Sequence, residues 1–134
     1  MKILLDTHVA IWSIIDTDKL PQDLLNEIEN YDNEVYVSMV SVWEVALKSA
    51  KSNEKIPLDE KKFIEKKKKM DFNILPIKTR HIMNLRKLIV KDENINHKDP
   101  FDRMLLSQTD VEDMMFYTKD KALANYKIKN VNMI

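Results

Sequence analysis

Residues 1–10 read MKILLDTHVA, in which the apolar run Ile3-Leu4-Leu5 stops abruptly at Asp6. A short apolar run bounded by a polar residue reads as a buried strand over Ile3 to Asp6, and Val9 to Ile15, with Trp12, reads as a helix directly behind it. The rest of the chain continues this alternation. Pro21 at a helix N1 position opens a helix over Gln22 to Tyr31 with Leu24, Leu25 and Ile28 as its apolar stripe. Glu34 to Ser38 is β-branched and aromatic enough for a second strand, and Ser38 is placed to cap a helix carrying Val42, Trp43, Val45, Ala46 and Leu47. A lysine-rich helix over Leu58 to Met70, a strand over Phe72 to Ile77 and a helix from near Thr79 follow. Ile89 to Lys98 is polar and turn-rich, a loop. Asp99-Pro100-Phe101-Asp102 starts another helix, Met114 to Tyr117 is a strand, and a short helix from Lys121 leads to a last strand near Val131. Strands alternating with helices define an α/β domain with a largely parallel central sheet flanked by helices, expected as one domain over residues 1–134.

Composition narrows the chemistry. The 134 residues carry 22 basic and 22 acidic side chains, so whole-molecule charge does not mark a nucleic-acid binder and any such surface must be local. No cysteine is present, which removes disulfides, thiol catalysis and thiolate metal sites. There is no glycine either, so the phosphate-cradling GxxxxGK[ST] and GxGxxG loops are ruled out. Asn30, Asn33, Asn53, Asn94, Asn96 and Asn130 are the expected substitutes where the backbone turns left-handed. Neither a secretory leader nor an apolar run of membrane-spanning length is present, and the expected location is the cytoplasm.

The acids are where the pattern becomes chemical. In open parallel sheets ligands sit beyond the carboxyl ends of the strands. Asp6 ends the first strand and Asp120 follows a later one, while Glu44 and Asp102 sit in the early turns of two helices. Four carboxylates from four segments can therefore converge. Such a cluster needs cations, and oxygen ligation without cysteine favours Mg²⁺ or Mn²⁺. A site of this kind suits phosphodiester hydrolysis, in which one ion acidifies an attacking water and a second stabilises the leaving oxygen. Each acid also has a plainer reading. Glu44 has Lys48 four residues on as a surface pair, Asp99 and Asp102 form a capping pattern, Asp120 caps a short helix, and Asp6 is the first residue after a strand. Asp99 is kept as a cap and supporting acid, and Thr7 and Thr118 read either as hydrogen-bond donors to the carboxylates or as simple turn and capping residues. Trp12 and Trp43 read as core rather than as stacking platforms for bases, and His8 and His97 stay outside the metal set. The run KKFIEKKKKM, with Lys66, Lys67, Lys68 and Lys69, reads either as a solvated helix face or as an RNA-backbone patch.

The segments LLDTHVAIW, VYVSMVSVWEVALK, HKDPFDRMLLSQ and YTKDKALANY, in this order, closely resemble the PIN-domain nucleases of the VapC toxin type, over essentially the whole chain. The resemblance implies a PIN fold and a Mg²⁺- or Mn²⁺-dependent ribonuclease that leaves a 5′-phosphate and a 3′-hydroxyl. It also implies Asp6, Glu44, Asp102 and the more variable Asp120 as its acids. It further implies a homodimer, a cognate antitoxin that inhibits it, and transfer RNA or another structured RNA as substrate. Departures are small: Ser49 to Pro57 lacks a customary glycine, Lys98 replaces a frequent arginine and Thr109 a usual alanine. Because water is the nucleophile, the chemistry admits DNA as well as RNA. Two other functions use a similar pattern. A receiver-like Mg²⁺-binding phosphoacceptor needs an acidic pair after strand one, where Thr7 and His8 stand here. A catalytically silent PIN module would bind RNA or a protein without cutting.

Overall fold

β1 (Lys2–Leu5) lies in the middle of the sheet because it can be buried on both faces, with Ile3, Leu4 and Leu5 all inaccessible to solvent. The computed structural model describes residues 1–51 and 56–134. Successive side chains of a strand point to opposite faces, so β1 divides the interior in two. Ile3 and Leu5 pack with Val9 and Ile11 of α1 (Thr7–Ile15), Leu24 of α2 (Gln22–Glu29) and Phe63 of α4 (Glu60–Lys69). Leu4 packs on the other side with Leu105 and Leu106 of α6 (Pro100–Glu112), Phe116 of β4 (Met115–Thr118) and Leu123. The helix α3 (Met39–Ser49) gives Val45 to the first layer and Val40 to the second.

With β2 (Glu34–Ser38), β3 (Asn73–Leu75) and β5 (Val131–Met133) added, the described strands form one five-stranded sheet ordered β3-β2-β1-β4-β5, every pair parallel. Leu5 stands opposite Val37 on one side and Tyr117 on the other. The chain moves outward from β1 to β3, then returns to the far side of β1 as β4. The strand order thus reverses beside β1, the place where such sheets bind ligands.

The expected elements are present with shifted ends. Pro21 is the N-cap of α2 rather than its first helical residue, and α4 starts at Glu60 because the Asp59 carboxylate accepts the Lys62 amide at 2.9 Å. The helix after Lys121 is a 3-10 turn over Lys121–Asn125. A short α5 (Thr79–Met83) precedes the segment read as a loop. That segment is tied down: Lys91 donates its amide to the Asn125 carbonyl at 2.6 Å, and Lys127 donates to Ile89 at 2.8 Å. No helix among the described residues is long and apolar enough to cross a membrane.

Left-handed backbone falls on Asp71, Asp113 and Asn130. Of the asparagines expected there, only Asn130 adopts it, and Asn53 lies outside the described residues. Asp113 ends α6 and Asp71 turns the chain from α4 into β3, both at helix ends. Asn30 and Asn33 instead use their side chains, on the Asp32 amide and on the Glu27 carbonyl, each at 2.9 Å.

Candidate active site

At the carboxyl edge of the sheet a cavity of about 390 Å³ is lined by Asp6, His8, Trp12, Glu44, Lys48, Asp99, Asp102, Lys119 and Asp120. Asp6 reaches it because β1 ends one residue earlier. Its amide still donates to the Tyr117 carbonyl at 3.0 Å, its carbonyl accepts the Ala10 amide at 2.8 Å, and its carboxylate accepts the Thr7 amide at 2.7 Å. It is therefore the N-cap of α1 as well as a cavity acid. The second oxygen accepts the Thr118 hydroxyl at 2.5 Å, since β4 runs alongside in register.

Glu44 is buried at 4% exposure, so it is not a surface residue, although it does pair with Lys48 at 2.6 Å. Its other oxygen accepts the Thr7 hydroxyl at 2.6 Å, and Ser41 Oγ lies 2.9 Å from the same hydroxyl. Thr7 and Thr118 thus each bind a cavity carboxylate. Burial pushes the Asp6 carboxyl above its usual range and Glu44 adds to that, while the Thr118 and Thr7 bonds and nearby His8 pull it down.

Asp99 caps α6, accepting the Asp102 amide at 3.0 Å, with Pro100 at the first helical position. That cap turns Asp102 inward. Asp102 Oδ2 lies 3.1 Å from His97 Nε2, while His97 Nδ1 is 3.2 Å from the Tyr126 hydroxyl. Asp120 caps the Lys121–Asn125 turn, accepting the Ala122 amide at 2.9 Å, and its own amide donates to Thr118 Oγ1 at 3.0 Å. Burial, then Asp6, Asp99, Asp120 and Glu44 in that order, push the Asp102 carboxyl up to about 8. The four sequence-predicted acids do converge, and they crowd one another.

His97, Asp102 and Asp120 each offer a ligand atom within 4.8 Å of the others. This donor set fits a divalent cation: burial first and the neighbouring acids second push the Asp102 carboxyl up, and a dication between the acids would offset that charge. Sequence reasoning left out His97, five residues before Asp102 and in an irregular segment. Only the tethering of that segment to Asn125 and Tyr126 brings the ring to the acid.

Of the two tryptophans expected in the core, Trp43 is 52% exposed, its ring edge-on to Phe101 at 4.9 Å. Trp12 does pack, partly buried, against the core around Ile3 and Leu5, and it also lines the cavity. His8 is also on the wall. Lys66, Lys67, Lys68 and Lys69 are not brought to the cavity. They close α4 immediately before β3, at the amino edge of the sheet, where Lys67 Nζ donates to the Phe72 carbonyl at 3.1 Å. The lysines that line the cavity are Lys48 and Lys119.

The sequence model of the PIN domain matches residues 3–129. No curated protein matches the sequence. Among solved structures, the crystal structure of VapBC2 from Rickettsia felis bound to a DNA fragment from their promoter contains a similar chain. The match has a TM-score of 0.67 at 13% identity, covering 100% of this chain and 98% of that one. DNA-bound VapBC from Salmonella typhimurium gives a TM-score of 0.67 at 15% identity, covering 100% and 97%. A domain of a functionally unknown protein from Methanocaldococcus jannaschii gives 0.57 at 17% identity, covering 99% and 90%. At these identities the likeness is one of fold.

Proposed function

Since the chain belongs to the PIN domain family, we propose that it is a divalent-metal-dependent endoribonuclease acting as the toxin of a toxin–antitoxin pair. The observation that carries this reading is the gathering of Asp6, Glu44, Asp99, Asp102 and Asp120 around one cavity, where His97, Asp102 and Asp120 offer ligand atoms within 4.8 Å of one another. Asp102, Asp120 and His97 would hold the ion, with Asp6 and Glu44 completing the acidic floor. Mg²⁺ or Mn²⁺ bound there supplies positive charge to phosphodiester oxygens and acidity to water.

The chain's own residues set the geometry. Thr118 and the Thr7 amide fix the Asp6 carboxylate, and the Thr7 hydroxyl with Lys48 fixes Glu44. Asp99 holds the start of α6, and so the direction of Asp102. Asp6 and Glu44 are held through both carboxylate oxygens, whereas Asp102 and Asp120 are each held through one, the preorganisation that charge stabilisation requires.

Partners follow from surface chemistry. Met39, Trp43 and Leu47 lie at i, i+4 and i+8 on α3, the helix that carries Glu44, with exposures of 40, 52 and 46%. An apolar stripe of this kind supports a protein partner, read here as a second copy of the chain and a cognate antitoxin. The VapBC neighbours, complexes bound to DNA, are in keeping with that reading.

Purified protein incubated with a mixed RNA pool should cut only with Mn²⁺ or Mg²⁺ added, and Asp6→Asn of matched thermal stability should not cut. Sequencing the ends would identify the RNA and show 5′-phosphates. A protein that folds and binds metal but never cuts would instead be a silent binding module.

A further inference from the structure

One wall of the cavity has no part in the metal chemistry. His8 and Trp12 lie one turn apart on α1, with ring centroids 5.9 Å apart, and both line the cavity. Lys119 Nζ stands 5.1 Å from the indole centroid and Lys19 Nζ 5.6 Å from it. Lys119 is exposed and in no ion pair among the described residues, whereas Lys48 is held by Glu44 at 2.6 Å.

We propose that this wall is a nucleotide subsite, in which Trp12 stacks on an unpaired base beside the scissile bond and Lys119 contacts the adjoining phosphate. The proposal rests on the nuclease reading and names what that site would recognise. A floor of carboxylates repels a polyanion, so a strand entering the cavity must be held by cations at its edge, and Lys119 is placed for that. The indole meanwhile offers a π-face to any base. An ammonium over an exposed indole strengthens an equilibrium only about 2- to 5-fold, whereas base stacking on an aromatic ring contributes about 5- to 150-fold. An incoming base therefore displaces the lysine from the ring, and the freed ammonium has a phosphate within reach. A base inside a duplex has both faces covered, so the subsite selects unpaired nucleotides.

The test uses Trp43→Phe protein, in which Trp12 is the sole tryptophan, titrated in Ca²⁺ with end-labelled oligouridylate and, separately, oligodeoxythymidylate. Trp12 emission should be quenched saturably, with the midpoint given by the label's anisotropy, while a duplex of equal length leaves it unchanged. RNA tighter than DNA would add a 2′-hydroxyl contact to the stack, and equal binding would assign it to base and phosphate alone. Trp12→Leu should weaken binding about 5- to 150-fold and Trp12→Phe should restore most of it. Lys119→Gln should lower the slope of log affinity against log salt by about 0.7.

Oligonucleotide binding that leaves Trp12 emission unchanged, full affinity in Trp12→Leu, or no binding by the parent would overturn the proposal. Metal-dependent cutting of the RNA pool is scored separately. Cutting without quenching would retain the nuclease and lose the subsite; quenching without cutting would do the reverse.

Discussion

The Thr118 hydroxyl stands between two acids, donating to Asp6 at 2.5 Å and accepting the Asp120 amide at 3.0 Å. Thr118→Val keeps the shape and removes both bonds, leaving a buried carboxylate oxygen without its donor. That should cost about 1–3 kcal/mol in urea unfolding and raise the Asp6 carboxyl further, and Thr118→Ser should recover most of the loss. Asp102 gives a pH signature. Its folded carboxyl lies near 8 against an ordinary 3.8, so the folded state holds a proton that the unfolded state has lost. Metal-free stability should therefore fall as pH rises from about 4 to about 8 and then level off. Asp102→Asn should flatten that slope. Allowing for the side chain's residual contact with water, the variant should gain about 2 kcal/mol at pH 8, read as a higher melting temperature.

Helices and strands carry these residues to the site through their ends. Asp6, Ser38, Asp59, Asp99 and Asp120 all cap helices or 3-10 turns with their own side chains. The strand Glu34 to Ser38 and the Ser38 cap were legible because β-branched patterning and a capping serine are local signals. The left-handed positions were less so, because asparagine preference is statistical while the need arises where a helix must stop. At Asp113, glycine should be neutral or stabilise by up to about 1 kcal/mol, and valine should destabilise by about 1–2 kcal/mol, in chemical denaturation. The lysines ending α4 make a second test at this scale. Neutralising Lys66, Lys68 and Lys69 together should leave the rate of RNA cutting within about twofold, because they stand at the amino edge of the sheet. A tenfold drop would bring that edge into the substrate path.

At the scale of the molecule, the active edge depends on strand order, which local patterning does not encode. Alternation announced a parallel sheet and strand-end acids. Sequence could not say that β4 returns beside β1, and that return alone puts Thr118 on Asp6 and gathers Asp120 with Asp102. The approach of His97 to Asp102 and of Trp12 to the cavity was illegible for the same reason: one depends on how an irregular segment is tethered, the other on where its helix meets the sheet's edge. What unites the edge is a crowd of carboxylates, and the proposed reading has a bound cation relieve their repulsion. The most direct measurement is calorimetric titration of the protein with Mn²⁺ at pH 7 in buffers of differing ionisation enthalpy. Close to one proton should leave per ion bound, as Asp102 surrenders it, and Asp102→Asn should release almost none and bind at least tenfold more weakly. Mn²⁺ binding without proton release, equally tight in Asp102→Asn, would contradict the account.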